Sequence, residues 1–182
     1  GSPSLQTGKV GKAYAGATDS YLTYPLSGLG LGNAFSISFW YKVNTTPDRA
    51  GVITVGPPGI NTRTSGFRLF RENGANTFKS NLGIGTGDSW NDGGAISPAD
   101  WVFVTMVAGG GSHGIYANGT LLRAESTYTG QVSWADCVNL SIGSGAPVFT
   151  EWNHLSDNSL IDEIRIFNRK LTQAEIQDMM ND

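Results

Sequence analysis

The sequence predicts an all-β protein closed by one short helix. Glycine takes 25 of the 182 positions and aromatic residues 10%, a balance that belongs to strands and turns. Helix-forming runs are few. Instead, apolar and polar residues alternate over short stretches, and these are separated by segments rich in Gly, Asn, Ser, Thr and Asp, as in an antiparallel chain with many turns.

The clearest alternation is AFSISFWYKV, residues 34–43. It sets Phe35, Ile37, Phe39, Tyr41 and Val43 on one face, and Ser36, Ser38, Trp40 and Lys42 on the other. Trp40 is out of phase with the apolar face and needs cover of its own. GVITVG and GFRLFR follow as short strands, the second opposing Phe67, Leu69 and Arg71 to Arg68 and Phe70. WVFVTMVA, residues 101–108, is apolar on both faces and is predicted to be central and covered twice. In HGIYANGTLLRAE the Asn118-Gly119 pair supplies the positive φ values of a type I′ turn, so this segment reads as a hairpin. VNLSIGSG and LIDEIRIF are the last strands. Thr172 with Glu175 three residues on forms a capping box, and Ile176, Met179 and Met180 give the helix one apolar face. That helix is expected on the outer face of one sheet. Residues 44–49, 57–65, 85–100, 126–136 and 144–158 read as loops, long enough to suggest function.

Residues 1–182 are expected to form a single domain, with Gly1-Ser2 resembling a cloning scar. A net charge of -3 with only 15% charged residues gives no basic stripe for nucleic acid. Apolar runs fall well short of a membrane span. Cys137 is the single cysteine, so an intrachain disulfide and a cysteine-based zinc site are both excluded. His113 and His154 are the two histidines, each expected at the surface.

The last strand raises a question of its own. Strict alternation puts Leu160, Asp162, Ile164 and Ile166 on one face and Ile161, Glu163, Arg165 and Phe167 on the other. Glu163 then has Arg165 beside it, whereas Asp162 shares an apolar face with no basic neighbour. An unpartnered carboxylate facing a core is costly. Either the strand end lies at the rim, with backbone N–H groups bonding Asp162, or a cation sits there.

Read in order, GKVGKAYAGATDSYLTYP, FSISFWYKV, WVFVTMV, GIYANGTLL, LSIGSG and IDEIRIFNRKLTQAEI resemble the laminin-G-like branch of the concanavalin A-like lectin/glucanase superfamily. The resemblance spans nearly the whole chain. It implies a jelly-roll sandwich of two antiparallel sheets, one of them concave, found in secreted and cell-surface proteins. It also implies a structural Ca²⁺, with Asp162 as a ligand helped by backbone carbonyls and Asp19 as a second candidate. Glycanase members carry Glu-x-Asp-x-x-Glu on one strand, which sets paired acids on one face. None of the five glutamates here, Glu72, Glu125, Glu151, Glu163 and Glu175, heads such a motif, and no nucleophile elbow or phosphate loop is present. The expectation is a protein without catalytic activity.

Binding residues are sought among the tryptophans. Trp40 and Trp101 fall in strand motifs and read as structural. Trp90, Trp134 and Trp152 fall in predicted loops, where a large ring either plugs the loop onto the core or offers a flat face to a sugar. Asn91 and Asp92 accompany the first, Asn153 and His154 the third. These residues are the predicted ligand-binding set, with at least one loop tryptophan facing the ligand. The expected role is a lectin-like module for a polysaccharide or oligosaccharide, part of a larger extracellular or cell-surface protein. A protein-interaction or adhesion domain on the same fold is the alternative.

Overall fold

The structure is a computed structural model that describes residues 1–58, 61–72, 74 and 76–182, with the side chain of Trp152 outside the described set. In chain order the strands are β1 (Ser4–Thr7), β2 (Lys12–Ala15), β3 (Leu22–Pro25), β4 (Phe35–Lys42), β5 (Ala50–Val55), β6 (Phe67–Glu72), β7 (Thr77–Gly83), β8 (Asp88–Ala95), β9 (Val102–Gly109), β10 (Ser112–Ala117), β11 (Thr120–Leu121), β12 (Ser126–Thr127), β13 (Asn139–Ile142) and β14 (Leu160–Phe167). A 3-10 turn at Glu151–Asn153 and the helix α1 (Gln173–Met179) complete the chain. The strands form two antiparallel sheets. One has eight strands, ordered β1-β2-β14-β4-β9-β10-β11 with β12 also paired to β10; the other has six, ordered β3-β13-β5-β6-β7-β8. This is the predicted all-β sandwich.

Alternation builds the core between the sheets. Phe35, Ile37, Phe39 and Tyr41 of β4 meet Val104 and Met106 of β9 and Phe67, Leu69 and Phe78 from the opposing sheet. Strand β9 is buried throughout and lies between β4 and β10, as its two apolar faces require. Its other face joins Phe103 and Val107 to Trp40, Tyr116, Leu171 and Ile176. The helix therefore covers the outer face of the eight-stranded sheet, and Trp40 gains the cover that its phase demanded. The capping box forms as read: Thr172 Oγ1 accepts the Glu175 N–H, and Glu175 Oε2 accepts the Thr172 N–H at 2.8 Å. At the β10–β11 hairpin, Asn118 has φ 49° and Gly119 φ 74°, a turn that glycine accommodates without strain.

Two expectations are corrected. Residues 88–95 are not loop but the outer strand of the six-stranded sheet, held by β7. In β14, strict alternation fails: Glu163 has φ 51° and the register slips between Asp162 and Arg165. This bulge lets both Ile161 and, beyond it, Ile164 and Ile166 contact the core. Asp162 is thus not on the face of Ile164 and Ile166.

One end of the core is polar. Arg71, on the inner face of β6, pairs with Asp157 at 3.0 Å, both side chains fully buried. Tyr41 Oη donates to Asp157 Oδ2 at 2.6 Å, and Arg71 also donates to the Pro47 carbonyl at 2.8 Å. A buried ion pair needs such additional bonds to offset its desolvation.

Candidate functional site

With α1 on the eight-stranded sheet, the outer face of the other sheet is where side chains gather. Pairing sets the register: Arg68 opposes Asn81, Phe70 opposes Lys79, and Asn81 opposes Trp90. Residues paired across strands share a face, so Phe70, Glu72, Lys79, Asn81, Asp88, Trp90 and Asp92 all point outward. Toward one side, Arg68 is fully buried, donating to the carbonyls of Ser65 and Thr62 and to Asn81 Oδ1, 5.8 Å from the Phe149 ring. Burial pushes its pKa down to about 10, so it stays charged at neutral pH. Val148 and Phe149 pack over Phe70, with Trp90 at the margin.

Beyond that margin the face opens into a cleft of about 370 Å³ lined by Arg49, Phe70, Glu72, Lys79, Trp90 and Asp92. The Trp90 ring stands edge-on to Phe70 at 5.9 Å, and the Arg63 guanidinium lies 5.8 Å from its centre. Arg63 is fixed by Asp88 at 3.3 Å and Glu151 at 2.6 Å. Glu72 organises the floor, bonded to Lys79 at 2.7 Å and His154 at 2.9 Å, with Arg49 at 3.7 Å. Burial raises the Glu72 pKa, but the bonds from Lys79 and His154 outweigh it and the carboxyl titrates below its ordinary value. Asp92 lies near Lys79 at 3.8 Å and Arg123 at 3.5 Å. The result is a half-buried indole beside a fixed set of donors and acceptors, which suits a polyhydroxylated ligand with apolar patches.

The predicted residues separate on this geometry. Trp90 and Asp92 line the cleft. Asn91 alternates inward and is 1% exposed, its amide spent on Ala124 O and Ser126 Oγ and its carbonyl on the Gly93 N–H. Trp134 packs onto the core, its ring meeting Phe35 at 5.2 Å and Phe67 at 6.2 Å with Nε1–H donating to Gly32 O at 3.0 Å, and it also lines a separate cleft with Leu26, Leu31 and Cys137. His154 is buried rather than at the surface, stacked 5.2 Å from Phe149 and bonded to Glu72; it supports the cleft from beneath. Asn153 is exposed with φ 63° in a neighbouring cleft. The side chain of Trp152 lies outside the described residues. His113 is also buried, between the sheets, with Ser89 Oγ 2.9 Å from Nε2.

At Asp162 the structure shows the carboxylate bonded by backbone N–H groups. Its Oδ2 accepts the Val10 N–H and its Oδ1 the Glu163 N–H, each at 2.9 Å. A Cβ added at Gly8 would stand 2.4 Å from Oδ2, so the Gly8–Gly11 turn closes directly onto the carboxylate. The carboxylate is thereby partnered by backbone N–H groups on both oxygens. Asp19 is at the far end of β2, its N–H donating to Ser156 Oγ, and is not brought to Asp162. Among the described residues no group of three or more His, Cys, Asp or Glu is placed to hold a metal.

Sequence reasoning missed Arg49, Phe70, Glu72 and Lys79 as cleft residues. Phe70 and Glu72 alternate onto one face of β6, but nothing local tied them to Trp90 while 85–100 read as loop.

Comparison with solved structures gives the same architecture at low identity. Domain 4 of AbnA, a GH43 extracellular arabinanase from Geobacillus stearothermophilus solved in complex with arabinotriose, superposes with TM-score 0.72 at 22% identity, covering 98% of this chain and 81% of that one. The CBM40 of the Ruminococcus gnavus IT-sialidase, bound to α2,3-sialyllactose, gives 0.65 at 17% identity, with 91% and 96% covered. A botulinum neurotoxin type C structure, whose cell entry depends on two ganglioside molecules, gives 0.70 at 17% identity, with 100% and 45% covered. Comparison with curated protein sequences returned no match. These likenesses establish the fold. The laminin-G family model matches residues 16–177, from just after β2 into α1, and on that match the chain belongs to the concanavalin A-like lectin/glucanases superfamily.

Proposed function

We propose that this chain is a non-catalytic carbohydrate-binding module that holds a glycan on the outer face of the six-stranded sheet. The observation that carries the reading is Trp90 lining an open cleft beside Arg49, Glu72, Lys79 and Asp92. A sugar ring stacks its C–H face on an indole while its hydroxyls exchange hydrogen bonds with fixed charged groups. Relatives solved with arabinotriose and sialyllactose support carbohydrate as the ligand class. Glu72 is unsuited to the general-acid role, which needs a raised pKa, because its carboxyl is held low by Lys79 and His154. An extracellular or cell-surface setting, within a larger protein, is part of the same proposal.

The experiment is a screen against soluble polysaccharides and arrayed glycans, read with intrinsic tryptophan fluorescence. Binding with a shifted emission that Trp90→Ala removes supports the module. A blank across plant, algal and host glycans overturns it. One observation favours a second reading, a protein-interaction domain: the edge strand β3 exposes Leu22 and Tyr24, 44% and 56% accessible, beside Val138 at 54%. Substitutions there, rather than at Trp90, would then abolish partner binding.

A further inference from the structure

Beside the Trp90 cleft lies a second one of about 280 Å³, lined by Thr18, Asp19, Thr46, Arg49, Asn153 and Leu155 among others. Each cleft alone is near the lower end of ligand pockets, about 300 Å³. They are not independent, because Arg49 lines both. They are also linked from below. His154, bonded to Glu72 in the floor of the first cleft, lies in sequence between Asn153 and Leu155, which line the second. The link is stiff: His154 is fully buried between Phe70 and Phe149, at 4.5 and 5.2 Å.

We infer that the two clefts are consecutive subsites for one linear, uncharged oligosaccharide that crosses Arg49. The inference rests on the carbohydrate-binding reading and adds the length and charge of the ligand. Charge decides its class. Arg49, Lys79 and Arg123 at the first cleft are matched in number by Glu72 and Asp92 there and Asp19 in the second. Glu72 takes Arg49 and Lys79 directly, at 3.7 and 2.7 Å. A uronate or sialate would therefore meet no net positive charge across the two clefts. Hydroxyl groups, in contrast, find both donors and acceptors. The second cleft offers no described aromatic ring, so it contributes hydrogen bonds through Asn153, Asp19 and Thr18 rather than stacking. Trp90 anchors one end of the chain; the second cleft gives affinity only to ligands long enough to pass Arg49.

The test uses size-graded neutral oligosaccharides, from two to six residues, prepared from arabinan, xylan, galactan and β-glucan, with sialyllactose and oligogalacturonates as acidic probes. Affinities are read by calorimetry on the full chain. Two variants address the second cleft: Thr18→Trp fills it, and Asn153→Gly removes the amide while keeping the positive φ. The expected result is an affinity for one neutral series that rises at least tenfold between two or three residues and five or six. Thr18→Trp and Asn153→Gly should reduce that gain and leave the shortest ligands unaffected, with melting temperatures unchanged. Affinity independent of length, lost only in Trp90→Ala, overturns the second subsite but keeps the carbohydrate reading. Preference for the acidic probes overturns the charge assignment. No binding by any probe removes the carbohydrate reading itself, and the inference with it.

Discussion

His113 sits between the sheets, with Ser89 Oγ 2.9 Å from one ring nitrogen and Ser80 Oγ 3.5 Å from the other. Burial, with Lys170 adding and Glu125 opposing, lowers its pKa from 6.5 to about 4. Between those values the unfolded chain takes up a proton that the folded chain refuses. The resulting stability is fully present above about pH 6.5 and declines as pH falls toward 4, by about 3 kcal/mol in all. Below that, protonation of both states ends the effect. His113→Gln should flatten the melting temperature across this window; an unchanged slope would show that the histidine is not responsible. Glu72 adds a separate loss at lower pH, since its folded pKa is depressed and its contribution goes as the carboxyl protonates below its ordinary range. Asp162 makes a different prediction. Its oxygens are held by backbone N–H groups, so EDTA and added Ca²⁺ should leave the melting temperature unchanged. A reversible drop with EDTA would place a metal at this carboxylate or elsewhere.

At the level of elements, strong local patterns were readable and weak ones were not. β4 and the Asn118-Gly119 hairpin follow from alternation and turn chemistry, and β9 from a run apolar on both faces. The α1 boundary follows from Thr172 and Glu175. β8, DSWNDGGA, was unreadable because Asp, Asn and Gly disfavour strands; it is a strand because β7 supplies its partners and Asn91 ties it to the 124–126 segment. Missing β8 hid the cleft, since only its pairing turns Trp90 and Asp92 to the side of Phe70 and Glu72. The β14 bulge escaped for a similar reason, as a single left-handed residue shifts every later side chain to the other face. Glu163 is that residue, at φ 51°. Glu163→Val should destabilise by about 1–2 kcal/mol, while Glu163→Gly should not; equal losses in both would point to the side chain instead of the backbone. The Arg71–Asp157 pair joins β6 to the segment leading into β14. Removing one partner alone, as in Asp157→Ala, should cost about 3–5 kcal/mol in chemical denaturation.

Across the whole molecule the two sheets have different outer faces. One is sealed by α1 with Trp40, Phe103 and Ile176. The other keeps a cleft, and Glu72, Lys79 and His154 in its floor are bonded to one another so that their positions are set before any ligand arrives. Such preorganisation reduces what binding must order. Among the described residues no helix is long and apolar enough to cross a membrane. The sequence pattern and the family resemblance together were sufficient for the sandwich, whereas the cleft required knowing which strands are neighbours. The most direct measurement is affinity electrophoresis of the native chain and Trp90→Ala through gels containing soluble polysaccharides, with both melting temperatures recorded. The account predicts retardation of the native chain by at least one neutral polysaccharide, lost in Trp90→Ala without loss of stability. Equal retardation of both proteins would contradict it, because a glycan would then be held somewhere other than the Trp90 cleft.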